Sequence, residues 1–326
     1  MFTFAPKKSK YPGMEQSNPT ITNRVLMIRP ANFGYNAETA VNNAFQKVPR
    51  GKSHEIAQKA LAEFNALVEL LKEHQVVVEV IDDTPKPNKP DALFPNNWIS
   101  FHSSGTLVTY PMFAPSRRHE RREDVIAQIG KKYNISRRYS FEMYEAQDEF
   151  LEGTGSMILD RRNKICYACL STRTEITLLN KFGLIMGYEI VHFTAVDEAD
   201  TPIYHTNVIM ALGEDFVVVA REAIQDPEEW SILSSRILSS GKSIVEISME
   251  QVRHFAGNML QLSSLTGERL IVMSTQAFKS LEKGQLSILS QSSKIIHTPL
   301  DTIETYGGGS ARCMIAEIFL PPKTAV

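Results

Sequence analysis

The sequence predicts an α/β fold made of five strand–turn–strand–helix–strand units set around one axis. Three observations predict it. Strand-like and helix-like stretches alternate in a fixed order along the chain. Short turn signals (Ser-Ser-Gly, Arg-Arg-Asn, Gly-Glu and Thr-Gly) separate the paired strand stretches. One polar residue recurs per unit: Asn97, Glu152, His205, Asn258 and Cys313 are separated by 55, 53, 53 and 55 residues. A unit of that length cannot close its own core, whereas five of them around an axis bury one another's apolar faces. The recurring residues, read as lying on the first strand of each unit, then face a common centre.

The elements follow in order. Residues 24–29 (RVLMIR) are dense in apolar and β-branched side chains and read as a strand. Residues 53–74 form an amphipathic helix whose inner face carries Ile56, Ala60, Phe64, Leu67 and Leu71. A buried strand follows at 76–81, then a Pro-rich loop, DDTPKPNKPDA. The second unit pairs FPNNWISF with TLVTYP and continues into a helix over 117–131. The third pairs GSMILD with KICYACL, followed by a helix over Arg173–Met186 and the strand YEIVHF. The fourth pairs HTNVIMAL with DFVVVA, and its helix starts at Pro227 behind Asp226, a plausible N-cap. The fifth pairs NMLQLSS with RLIVMS, with a helix over 277–291 and the strand KIIHTP. ARCMIAEIFLP ends the chain and is positioned to pair with the first strand, closing the circle. Residues 1–21 read as an N-terminal arm and 22–326 as a single catalytic domain.

Composition limits the function classes. Of 326 residues, 43% are hydrophobic and 22% charged, the balance of a globular chain. Lys and Arg number 35 against 37 Asp and Glu, so the basic excess of a nucleic-acid binder is missing. No apolar run is long enough to span a membrane, and the polar N-terminus has no signal-peptide core. Three cysteines are too few for a disulfide framework and suit a reducing, cytoplasmic setting. No Walker A motif, Rossmann fingerprint or His/Cys metal cluster is present, so neither cofactor nor metal is implied. The expected partner is a small molecule, and a homodimer stays open as an assembly.

Cys313 ends the run Y-G-G-G-S-A-R-C-M, whose glycines let backbone approach a ligand. A cysteine with His and a carboxylate elsewhere in the sequence is the pattern of thiol catalysis. His205 and Glu152 fall at the same place in their own units. The imidazole can move protons and the carboxylate can orient it. Cys166 and Cys169, in C-Y-A-C within an apolar run, read instead as core.

At these residues the sequence resembles the guanidine-modifying superfamily, or penteins, which includes arginine deiminase, dimethylargininase and glycine amidinotransferase. The resemblance spans about 22–321. F-P-N-N-W (94–98), L-E-G-T-G-S (151–156), Y-H-T-N-V (204–208) and G-G-G-S-A-R-C-M (307–314) look most like its citrulline-utilisation hydrolase branch. It implies a five-bladed, pseudo-fivefold α/β propeller of ββαβ repeats. It also implies Cys313 as nucleophile, His205 as acid/base and Glu152 as its partner. Asn97 and Asn207 would bind substrate where the guanidine enzymes carry Asp, and Gly155 stands where arginine deiminases carry another Asp. Arg117, in P-M-F-A-P-S-R-R, and Arg173, in S-T-R-T, would grip an amino-acid carboxylate in a forked geometry. A guanidinium offers only donors and calls for carboxylates, whereas a neutral ureido group suits amides that both donate and accept. The resemblance therefore implies hydrolysis of L-citrulline to ornithine, ammonia and carbon dioxide. Arginine or methylated arginine as substrate, amidino transfer, and a non-catalytic binding protein of the same fold are the alternatives.

Overall fold

The computed structural model describes residues 19–323 apart from positions 44 and 50. Most of the arm expected over 1–21 lies outside the described residues. The first unit opens with β1 (Arg24–Arg29), crosses through helix Ser53–Glu73 and returns parallel to it as β2 (Val77–Asp82). That helix forms because its apolar positions recur at helical spacing, and Ile56, Ala60, Phe64, Leu67 and Leu71 are all buried as expected.

The next four units repeat one plan. β3 (Ile99–Phe101) and β4 (Thr106–Thr109) pair antiparallel, and β5 (Arg137–Ser140) lies parallel to β4 after helix Glu123–Lys132. β6 (Ile158–Asp160), β7 (Ile165–Cys169) and β8 (Glu189–Phe193) do the same around helix Ile176–Met186. β9 (Met210–Leu212), β10 (Phe216–Val219) and β11 (Ser243–Glu246) follow, with helix Pro227–Ser239 between the last two. Asp226 caps that helix, accepting from the N–H groups of Glu228 and Glu229. β12 (Leu260–Ser263), β13 (Arg269–Ser274) and β14 (Lys294–Thr298) complete the series. β15 (Ala316–Glu317) then pairs antiparallel with β1, so the chain's end supplies the missing strand of the first sheet.

The described residues form a mixed α/β fold of five three-stranded sheets. The central strands β4, β7 and β10 are buried along their whole length because both faces are covered. Neighbouring units touch in chain order. β3 meets β15, turn Gly153–Ser156 packs on β3, β6 meets β9 and β9 meets β12. Helix Ser53–Glu73 packs on β14, which brings the fifth unit back to the first. The apolar core is accordingly split into clusters between units. One cluster joins Phe64 and Leu67 of the long helix to Leu262, Leu270 and Val272 of the fifth sheet.

Four expectations need correction. The recurring polar residues lie on turns just before the first strands, not on the strands. Pro95–Asn97 is a 3-10 turn, and Gly153–Ser156 and Thr206–Ile209 are single helical turns. The helix expected over 117–131 is a 3-10 segment, Pro115–Glu120, then helix Glu123–Lys132. Arg117 and Glu120 turn inward as a buried pair there, and extended backbone at Arg121 and Arg122 separates the two pieces. The third helix starts at Ile176, because buried Arg173 belongs to a turn whose carbonyl accepts from Glu152 N and Ser156 Oγ. The last helix breaks into Thr275–Ser280 and Lys283–Ser290, where Glu282 and Gln285 form a capping box. Among the described residues, no helix is long and apolar enough to cross a membrane.

Candidate active site

The turns explain how polar side chains come to be buried together. Their backbone groups are paired locally and with neighbouring turns: Glu152 N donates to Arg173 O, Ser156 N to Glu152 O and Val208 N to His205 O, so the side chains point inward without orphaning these peptides. Gly155 makes the approach possible. A Cβ there would collide with Asn97 Nδ2 and lie 2.8 Å from His205 Nδ1. The loop after helix Asp301–Gly307 uses Gly308 at φ +62°, a left-handed conformation that glycine adopts without strain. That loop is tied down by Tyr204, whose hydroxyl donates to Gly308 O at 2.8 Å, and by Ser310, whose hydroxyl donates to Glu304 at 2.5 Å. Glu63 caps the helix start by accepting from Thr302 N and Ile303 N.

Cys313 is 5% exposed, and its sulfur is met by two side-chain amides, Asn207 Nδ2 at 3.4 Å and Asn258 Nδ2 at 3.2 Å. Both are neutral donors, which favour sulfur carrying negative charge. Cys166 and Cys169 belong to the apolar core. Both lie fully buried in β7, and burial pushes both thiols up, Cys169 to about 12.

His205 Nε2 lies 2.8 Å from Glu152 Oε2. The other carboxylate oxygen of Glu152 accepts from Phe113 N at 2.9 Å. Burial opposes ionisation of Glu152, but the Arg173 guanidinium, His205 and the Arg117 guanidinium outweigh it and hold the carboxyl well below the usual range. Burial also acts on His205. With repulsion from Arg173 and Arg117, it overcomes the pull of Glu152 and lowers the imidazole to about 4. The resting pair at neutral pH is thus a carboxylate and a neutral imidazole. Nε2 carries the proton donated to Glu152, leaving Nδ1 as a base on the Gly155 side.

Two arginines and two more carboxylates surround this pair. Arg117 donates Nε and Nη2 to Glu120, each at 2.9 Å, and Nη1 to Asn97 Oδ1 at 2.9 Å. Burial pushes Glu120 up to about 7 despite Arg117. Arg173 donates to Thr39 O at 3.0 Å, to Asn42 Oδ1, and to Glu152 Oε2 at 3.5 Å, with Tyr204 beneath its plane. Asp91 accepts from Asn36 and Thr39 through one oxygen, while its other oxygen is buried without a partner among the described residues. One cavity is lined by Asp91, Asn97, Arg117, Arg173, His205 and Cys313, with the glycine loop and Thr39, Asn43 and Gln46 along its wall. Glu152 stands behind His205, and Asn207 and Asn258 stand against the sulfur.

The seven residues expected from sequence therefore fall in one place. Asp91, Glu120 and the contact of Asn258 with sulfur were not anticipated. The 53-residue interval does pick out Asn258, but nothing in the Pro-rich loop marks Asp91. Glu120 sits in S-R-R-H-E-R-R-E, which reads as a solvated charged face.

A buried thiol, an imidazole–carboxylate pair and paired arginines on a fold of five small sheets define a member of the guanidine-modifying superfamily. The chain belongs to the eukaryotic N,N dimethylarginine dimethylhydrolase family, whose model matches residues 29–320. No curated relative matches the chain. Among solved structures it resembles ArgZ, an arginine dihydrolase from the ornithine-ammonia cycle in cyanobacteria, at 19% identity and TM-score 0.71. That match covers 91% of this chain and 41% of the other, so the chain spans about two fifths of ArgZ. The N-terminal domain of ArgZ, as a substrate-bound cysteine-to-serine mutant, matches at 20% identity and TM-score 0.71, over 91% of this chain and 98% of that one. A histidine-to-glycine mutant of dimethylarginine dimethylaminohydrolase, as an adduct with S-methyl-L-thiocitrulline, matches at 14% identity and TM-score 0.62, over 91% and 100%. At these identities the structures share the fold.

Proposed function

We propose that the protein is a cysteine hydrolase that cleaves the ureido C–N bond of L-citrulline, on a five-bladed pentein propeller whose blades are the five sheets. Cys313 Sγ attacks the ureido carbon as His205 Nδ1 takes the thiol proton. That proton passes to the departing nitrogen, and ornithine leaves. Sulfur then carries a carbamoyl group. Water attacks it, giving a proton to His205, and the restored thiol is released with carbamate, which breaks down to ammonia and carbon dioxide. Glu152 holds the ring in the tautomer that this cycle needs and steadies the imidazolium formed on the way. Arg173 receives the α-carboxylate. Asp91, which lines the cavity and keeps one buried oxygen without a partner among the described residues, receives the α-ammonium. A cytoplasmic setting fits the free thiols of the chain.

The observation that carries the ureido reading is the buried amide N–H of Asn97, which has no partner among the described residues. A ureido oxygen accepts it, while a guanidinium has no acceptor to offer. Asn207 Oδ1 and Asn258 Oδ1, also without partners among the described residues, suit the ureido N–H groups. The family match favours a second reading, a guanidino substrate, which the same acceptors and Asp91 would hold. Measuring kcat/KM for citrulline, arginine and dimethylarginine, with amino-acid product analysis, decides between them. Citrulline as the best substrate with ornithine as product is the expected result; a clear preference for arginine or dimethylarginine would replace the ureido reading.

A further inference from the structure

We infer that Glu120 is a positioning residue for substrate selection: its fork onto Arg117 fixes the Asn97 amide with its N–H toward the reacting centre. The inference rests on the ureido reading above and deepens it. A guanidinium has five N–H groups and no acceptor. Arg117 directs Nε and Nη2 to the two oxygens of Glu120, each at 2.9 Å, and Nη2 also reaches Phe94 O at 3.4 Å. This bidentate pair sets the plane of the guanidinium. It leaves Nη1 aimed at Asn97, 2.9 Å from Oδ1.

Because Nη1 only donates, the atom of Asn97 facing it is the oxygen. Nδ2 is therefore turned the other way, toward Gly155 and His205, where it is buried without a partner among the described residues. A reversed amide would set N–H against N–H at Arg117 and present the substrate with an acceptor instead of a donor. The direction of one amide thus separates a ureido oxygen from a guanidinium nitrogen, although Glu120 need not touch either. Arg117 and Glu120 are each 3% exposed, so water does not loosen the lock. Arg117 also has competing carboxylates nearby, Glu152 Oε2 at 3.8 Å and Asp91 Oδ2 at 3.9 Å. Glu120→Gln loses one of the two acceptor oxygens of the fork, which frees Arg117 to turn to them and withdraw Nη1 from Asn97.

The test is a double-mutant cycle read on kcat/KM for citrulline and for arginine. Glu120→Gln is made in the parent protein and in Asn97→Ala. If Glu120 acts through Asn97, Glu120→Gln lowers citrulline kcat/KM about tenfold or more in the parent and about twofold or less in Asn97→Ala. The preference for citrulline over arginine narrows by a similar factor in the parent alone. Equal losses in both backgrounds would mean general structural support and overturn the inference. Arg117→Lys, whose single ammonium cannot hold Glu120 and aim at Asn97 together, gives the same comparison should Glu120→Gln fail to fold. A parent enzyme that prefers arginine would reject the ureido reading. The lock is then judged separately by the same cycle on arginine, where coupling supports it and its absence overturns it.

Discussion

Replacing Glu152 by Gln tests how the imidazole is set for its work. Glu152 is fully buried, accepts from Phe113 N at 2.9 Å and meets His205 Nε2 at 2.8 Å. In Glu152→Gln the amide oxygen stays on Phe113 N–H, since an NH2 there would face another donor. The NH2 group then points at His205 Nε2. The ring must accept at Nε2 and carry its proton on Nδ1, which removes the base from the side of the cavity. The negative charge that would steady an imidazolium is lost as well. Orienting carboxylates of Ser–His–Asp triads set the scale, so kcat should fall about a thousandfold to ten-thousandfold. Stability should fall by about 3 kcal/mol, because Arg117 and Arg173 lose one of their buried counter-charges. The assay is steady-state ornithine release together with urea unfolding. A folded Glu152→Gln protein within tenfold of the parent kcat would refute the tautomer argument.

Other perturbations separate the remaining roles. Cys313→Ser should abolish turnover with the fold intact, because an alcohol is a weak nucleophile at neutral pH, while Cys166→Ala should alter stability only; circular dichroism and product release check both. Asn258→Ala removes one of two N–H donors from sulfur and should slow iodoacetamide labelling of Cys313 about tenfold at neutral pH. Burial raises Glu304 from 4.5 to about 7, so its protonated form stabilises the native protein. That contribution is complete below about 4.5 and is lost as pH rises through about 7. Glu304→Gln should therefore lose less stability than the parent between pH 5 and pH 8 in urea unfolding.

The sequence made the architecture legible where periodicity was strong. The inner face of Ser53–Glu73 was readable because five apolar residues recur on it, and all are buried. The spacing of Asn97, Glu152, His205, Asn258 and Cys313 located equivalent positions because each falls just before a β-hairpin or closing strand of a unit of similar length. Their local conformation was less legible. The apolar residues after each motif extend a strand pattern backward over it, whereas Pro95, Gly153 and Gly155 bend the chain into turns first. Buried charges were hardest to see. Arg117 and Glu120 sit among surface charges in sequence, and only the tertiary structure shows them facing each other and Asn97. Asp91 depends on long-range contacts with Asn36 and Thr39, and on buried Lys89, which donates to Thr84 O and Pro87 O to fold the Pro-rich loop.

Rapid chemical quenching of the unmodified protein with citrulline, followed by peptide mass spectrometry, tests the central claim most directly. The thiol route through a ureido substrate predicts one carbamoyl group on the peptide that contains Cys313, appearing before free ornithine reaches its steady rate. A carbamoyl group on Cys166 or Cys169, or ornithine released with no adduct at Cys313 at any quench time, would contradict it.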